Sequence, residues 1–309
     1  REKREMEDRP SRWIIEEEGP ETPTPEWFEW AIGQTPSSNR VAVDGCDIHY
    51  LKWDAKQAEK AGILFVHGGA AHAQWWAFIA PFFADDRPVA AIDLSGMGDS
   101  AKRDEYSNAH RVAEMAAVIE DAGLGPKPLV VGHSFGGTMT MSFCGKHSAD
   151  ISGAVIVDSF VRPPSEDDGG SRGPGRPKPY FPDKATVTRR YRLSPYQPCD
   201  NEFIIEHIAQ HSVVEEERGW TWKYDDGVRG RGTRDEPLAD YLRDMSCPKA
   251  LFYGKESVLL TDEALAFTTE RFGDGDHIVP FPASGHHLML DQPIGFVVAL
   301  RTLFANWDV

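Results

Sequence analysis

Between residues 62 and 160 the chain repeats one alternation, a short run of apolar and β-branched residues followed by a stretch with helical periodicity. The runs sit in AGILFVHGG, RPVAAIDLSG, PLVVGHS and ISGAVIVDSF, with helical stretches near 108–122 and from Ser134 onward. A strand that is apolar at every position has no face to offer water, so both of its faces must be covered. Strands that alternate with helices pair in parallel, because a parallel neighbour requires a crossover connection. The pattern breaks after Phe160 and resumes at KALFYG, DHIVPFP and a last helix over about 292–306. The expected fold class is therefore α/β, a mostly parallel twisted sheet flanked by helices, with core segments 41–158 and 247–309 and an insertion at 159–246.

Ahead of the core, residues 1–40 hold the acidic run 16–18 and a proline-rich segment, TPTPEWFEW, which reads as an arm pinned by Trp27, Phe28 and Trp30. VAVDGCDIHYLKW then alternates around Asp44-Gly45, the signature of a two-residue hairpin turn. Within the insertion, 161–181 is dominated by Pro, Gly and charge and predicts a long loop. Helices are expected near 183–191 and 202–217, followed by an aromatic stretch at 220–224. An insertion after a strand's C-terminal end lies over the crevice where open parallel sheets bind ligands, so it should act as a lid.

Thirty-three Lys and Arg stand against 49 Asp and Glu, a net charge of −16. Such a surface repels phosphate backbones and anionic headgroups, so neither nucleic acid nor a membrane is an expected partner. The four cysteines are scattered without a CxxC pair, and the amino end lacks a signal-peptide apolar run, which together predict reduced thiols and a cytoplasmic location. No Walker loop, dinucleotide fingerprint or zinc spacing occurs, so no cofactor and no metal is implied. A homo-oligomer is compatible with this composition.

The sharpest chemical signal is Gly132-His133-Ser134-Phe135-Gly136, with an apolar strand before it and a helical stretch after it. A GxSxG pentapeptide in that setting puts the serine on a tight strand-to-helix turn, exposed above the sheet, with glycines where neighbouring segments pass closely. A helix N-terminus behind the serine favours the charge that develops during attack. From about Val41 to the C-terminus the chain resembles the α/β-hydrolase fold superfamily, and the nucleophile elbow is one of several matching segments.

That resemblance implies an oxyanion hole of two backbone N–H groups, which fall on Phe135 and on Gly69 in His67-Gly68-Gly69-Ala70, with Gly68 and Ala70 as alternatives for the second. His67 reads as structural. The superfamily order of serine, acid, histidine makes Ser284-Gly285-His286-His287 the source of the base, and the spacing to Asp291 and Pro293 favours His286 over His287. Imidazole can take the Ser134 proton and return it to the leaving group. Most relatives carry the orienting acid as GxxD after the strand KALFYG, but here the sequence is Gly254-Lys255-Glu256-Ser257. The substitute is Asp158, at the end of GAVIVD, resembling the placement in haloalkane dehalogenases and zearalenone-type lactonases, with Glu256 as the alternative. Asp93, in AIDLSGMGDS, resembles a turn-stabilising aspartate of the superfamily.

Trp75, Trp76, Tyr191, Trp220 and Trp222 surround the oxyanion loop or lie in the insertion, and they point to a bulky apolar or aromatic substrate. A serine nucleophile argues against dehalogenase and epoxide-hydrolase chemistry, which uses an enzyme carboxylate ester. The expected activity is hydrolysis of a small-molecule carboxylic ester or lactone through an acyl-enzyme. The alternatives are carbon-carbon bond hydrolysis of ring-cleavage diketones, and a ligand receptor that keeps the fold.

Overall fold

The computed structural model describes residues 23–164, 177–228 and 236–308. The acidic run 16–18 and the centre of the Pro/Gly-rich loop, 165–176, lie outside the described residues. The arm's remaining part forms helix α1 (Glu26–Gly33). Phe28 is buried, Trp27 packs edge-on at 6.0 Å from Phe203, and Trp30 lies 4.9 Å from Phe82.

Strands β1 (Ser37–Val43) and β2 (Cys46–Trp53) pair antiparallel, with Val43 opposite Cys46. Asp44 and Gly45 both adopt positive φ, +47° and +74°, the two-residue turn whose twist matches the strands it joins. β1 starts at Ser37, ahead of its apolar residues, because an edge strand can be polar on its open side.

Then follow β3 (Ile63–Val66), β4 (Val89–Ile92), α2 (Asn108–Asp121), β5 (Leu129–His133), α3 (Phe135–His147) and β6 (Gly153–Val157). The insertion contributes α4 (Lys184–Arg189), α5 (Glu202–His211), β7 (Val213–Glu216), β8 (Gly219–Trp222) and α6 (Leu238–Asp244). The core closes with β9 (Lys249–Gly254), α7 (Asp262–Thr269), β10 (His277–Phe281), α8 (Leu288–Asp291) and α9 (Pro293–Trp307). Eight strands form one sheet in the order β1-β2-β4-β3-β5-β6-β9-β10, parallel from β4 onward.

Alternate residues of the buried strands feed two separate cores. Ile63, Phe65, Leu129 and Val131 pack with Phe296, Leu300 and Phe304 of α9. Leu64, Val66 and Val130 pack with Val112, Met115 and Val118 of α2 and with Met139 and Phe143 of α3. This two-sided burial is the physical reason that Ile63–Val66 and 129–131 carry no polar positions.

Within the insertion the helix expected over 202–217 ends at His211. Ser212 closes it, donating its hydroxyl to the Ile208 carbonyl. The β-branched pair Val213-Val214 then starts β7, which pairs antiparallel with β8 across a turn where Gly219 takes a φ of +115°. β-branched residues lose rotamer freedom in a helix and fit a pleated ribbon, and here a second strand is present to pair with. No helix among the described residues is long and apolar enough to cross a membrane.

Candidate active site

Ser134 occupies the single residue between β5 and α3 and holds φ +53°, a left-handed backbone that costs a non-glycine residue about 1–3 kcal/mol. Its N–H donates to the Val157 carbonyl at 2.8 Å, so the parallel ladder extends one step past each strand. The tight turn demands both flanking glycines. A Cβ on Gly132 would fall on the Gly136 carbonyl, and one on Gly136 would collide with the Val66 carbonyl and lie 2.6 Å from that of His67.

Register decides what stands beside the serine. His133 pairs with Val157, so Ser134 and Asp158 are neighbours at the C-terminal edge of adjacent strands. Asp158 also takes positive φ, +45°, and its N–H donates to Phe252 at 2.7 Å. Its side chain is fully buried. Oδ1 accepts the Gly254 N–H at 2.9 Å, and Oδ2 accepts both the Ser257 hydroxyl and His286 Nδ1, each at 2.6 Å. Because a carboxylate only accepts, Nδ1 of His286 is the donor to Asp158, and in the neutral ring the lone pair lies on Nε2.

Of the two carboxylates left open by the sequence, Asp158 is the one against His286, whereas Glu256 is exposed and contributes its backbone N–H to Ser284. Ser257, which stands where relatives place the acid, is buried and donates to Asp158. Of the two histidines, His287 turns away from Asp158. Its Nε2 lies 3.3 Å from the Pro195 carbonyl and its N–H donates to Gln197. Burial pushes His287 down to about 3 and His133 well below the ordinary value, so neither competes for a proton near neutral pH. His133 Nε2 donates to the His286 carbonyl at 3.0 Å, tying the histidine loop to the residue before Ser134. Asp291 accepts the Gly285 N–H at 2.8 Å from the other side of that loop.

The loop after β3 is equally fixed. His67 is buried and neutral: its Nε2 accepts the Leu94 N–H at 3.1 Å, which leaves Nδ1–H to meet the Gly68 carbonyl at 2.7 Å. Ala70 holds φ +57° and spends its N–H on Met97 Sδ at 3.2 Å, so it is not a free donor. Gly69 lies against Phe135, where an added Cβ would be 3.7 Å from that of Phe135. Asp93 accepts the Ala73 N–H, the Asp99 N–H and His49 Nδ1, bracing both the loop's exit and the following turn. Burial alone would raise Asp93, but these bonds outweigh it and hold the carboxyl below its usual value.

The aromatic residues divide. Trp75 stacks near His133 at 6.3 Å and sits 5.3 Å from His287, beside the neighbours of Ser134 and His286. Trp76, by contrast, is 1% exposed and stacked on Phe65 at 4.7 Å, so it is a core residue rather than a pocket wall. In the insertion Tyr191 meets Trp222 edge-on at 6.2 Å, and Trp220 is bridged to Phe181 by two backbone bonds of 2.8 and 2.9 Å. Among the described residues, two side-chain groups bring metal-ligand atoms within 4.8 Å of one another, His133-His286-His287 and His49-Asp93-Asp99. In the second, Lys223 Nζ lies 2.7 Å from Asp99 and already supplies the positive charge.

A serine on a left-handed elbow at the C-terminal edge of a parallel sheet, with a histidine-carboxylate pair beside it, defines the α/β-hydrolase class of fold. The profile of the Alpha/beta hydrolase family matches residues 63–300, and the chain belongs to that family. It is 33% identical over 115 residues to lipase LipV of Mycobacterium tuberculosis, covering 37% of this chain and 42% of that protein. It is 28% identical over 123 residues to 2-hydroxy-6-oxo-6-(2'-aminophenyl)hexa-2,4-dienoic acid hydrolase of Metapseudomonas resinovorans, covering 38% and 41%. The chain thus matches less than half the length of these curated relatives. Its fold is similar to the thioesterase domain from the curacin biosynthetic pathway, with a TM-score of 0.73, 22% identity, and coverage of 86% and 99%.

Proposed function

We propose that this hydrolase cleaves a carboxylic ester or lactone through an acyl-enzyme on Ser134. The observation that carries the reading is the buried 2.6 Å contact of His286 Nδ1 with Asp158, on the strand next to the serine's own. Ser134 Oγ attacks the carbonyl carbon while its proton passes to His286 Nε2. The resulting oxyanion is received by the N–H groups of Gly69 and Phe135, and His286 then protonates the departing alkoxide. Water, deprotonated by the same nitrogen, cleaves the acyl-serine. Asp158 keeps the proton on Nδ1 and stabilises the imidazolium. Segment 159–246 serves as the lid, and Trp75, Tyr191, Trp220 and Trp222 favour an apolar or aromatic substrate body.

The test is incubation with a fluorophosphonate probe, location of the adduct by mass spectrometry, and a screen of aryl esters, alkyl esters and lactones. An adduct on Ser134 with turnover of one of these classes is the expected result. An unlabelled Ser134 in folded protein would refute the reading. The Metapseudomonas relative favours carbon-carbon hydrolysis as a second reading, and product analysis with a ring-cleavage diketone separates the two.

A further inference from the structure

Four cations among the described residues are more than nine-tenths buried: Arg87, Arg111, Lys178 and Lys249. Three of them have carboxylate partners. Arg87 meets Asp308, Lys178 lies 2.9 Å from Glu216, and Lys249 lies 2.9 Å from Asp276. Arg111, in the first turn of α2 and 2% exposed, is the exception. Its guanidinium makes no hydrogen bond and no ion pair with a described residue, and Nε is sealed from solvent without a partner. The acid one turn along, Glu114, is already committed to Arg103 Nε at 2.9 Å and to the Ser95 N–H at 3.0 Å.

What does touch Arg111 is aromatic. Its Cζ lies 4.9 Å from the centre of the Phe135 ring and 5.3 Å from that of Tyr106. Two ring faces offset part of the cost of removing a cation from water but leave its Nε–H without an acceptor. Tyr106 is itself fastened, donating to Asp225 of the insertion at 2.8 Å. The charge feels the Glu114 carboxylate but makes no ion pair with it, and it is held at the junction of α2, the Ser134 elbow and the insertion. It lies against the residue whose N–H is assigned to the oxyanion hole.

We propose that Arg111 receives a carboxylate of the substrate, so that the preferred substrates are esters or lactones carrying a free carboxylate on the acyl part. This rests on the ester-hydrolase reading above and narrows its substrate class. The acyl part is favoured because it stays beside Phe135 through both chemical steps, whereas the alcohol leaves after the first. A carboxylate suits the site better than a phosphate dianion, since one guanidinium must balance it within reach of the fully buried Glu114.

The experiment compares the p-nitrophenyl half-esters of succinate, glutarate and adipate with uncharged p-nitrophenyl esters of equal chain length, in the native protein and in Arg111→Met. The native protein should favour at least one half-ester in kcat/KM, and Arg111→Met should lower that preference about thirty-fold or more, the size of losing one partner of a buried charge pair. A preference that stays within about threefold of the native one overturns the proposal. Thermal unfolding with and without free glutarate supplies a readout apart from turnover: glutarate should raise the Tm of the native protein and not that of Arg111→Met. Equal shifts in both proteins, or none in either, also overturn it. If no ester of either kind is cleaved, the hydrolase reading fails and the glutarate arm alone decides on Arg111.

Discussion

Replacing Asp158 by Asn tests the orienting role of this carboxyl with the least change in shape. Its two oxygens receive three donors, Gly254 N–H on Oδ1 and both Ser257 Oγ–H and His286 Nδ1–H on Oδ2. Asn has one acceptor oxygen to offer. Facing Gly254, it sets its NH₂ group against the Ser257 and His286 donors, and the imidazole answers by moving its proton to Nε2, where no lone pair remains to take the Ser134 proton. Facing His286 instead, it sets NH₂ against the Gly254 N–H, and the imidazolium loses its counter-charge. The first arrangement is expected to lower kcat by about 10⁴, equivalent to about 5.5 kcal/mol of transition-state stabilisation. Either arrangement leaves a buried donor unmet, at about 1–3 kcal/mol of folding stability. Steady-state kcat on p-nitrophenyl butyrate, with urea unfolding on the same preparations, measures both effects. Glu256→Gln, on an exposed side chain, should stay near the native rate. An Asp158→Asn enzyme keeping more than about a tenth of native kcat, or a larger loss in Glu256→Gln, would refute the argument.

Ser257→Ala removes one of the donors to Asp158 Oδ2 and should lower kcat about tenfold, the scale of a single charge-assisted hydrogen bond; an unchanged kcat would show that the remaining bonds suffice. Gly136→Ala forces a Cβ onto the Val66 carbonyl, where only backbone can yield, and should cost about 1–3 kcal/mol in urea unfolding along with most activity. Burial raises Asp291 to about 6, so between the unfolded value near 4 and about 6 the folded chain binds more proton than the unfolded one. This group's contribution therefore makes stability fall as pH rises through that window, and Asp291→Asn should remove that slope from the urea midpoint measured against pH. Equal slopes in variant and native protein would rule the effect out.

Much of this architecture was readable before any coordinates. The core strands announced themselves because burial on both faces leaves no polar positions, and the hairpin because Asp44-Gly45 fits few other backbones. The insertion was harder, since residues 213–216 look like the end of a helix until a partner strand is known, and only the fold supplies β8. Neighbouring tryptophans were equally opaque: Trp75 and Trp76 follow each other in one short 3₁₀ turn, and a rotation of about 120° between successive residues sends one toward the histidines and the other into the core. Arg111 leaves a trace in the sequence. It stands on the same stripe of α2 as Met115, Val118 and Ala122, at the i, i+4, i+7, i+11 spacing, where a core-facing residue is expected and a cation is an anomaly.

The sequence favours Asp158 over Glu256 without excluding the latter, because both lie on segments that end at the same edge of the sheet and only register separates them. With Asp158 as the orienting acid, nucleophile and acid stand on adjacent strands whose ladder runs through both of them, Ser134 N–H to Val157 and Asp158 N–H to Phe252. Their separation can then change only by breaking sheet hydrogen bonds, whereas an acid on the loop after β9 would move with that loop. The loop is released from holding a charge and keeps a smaller task, since Gly254 and Ser257 now donate to the acid instead of carrying it. That division explains why the carboxylate at Glu256 can face solvent: two residues of its own loop already serve Asp158, and turning Glu256 inward would place a second negative charge beside it.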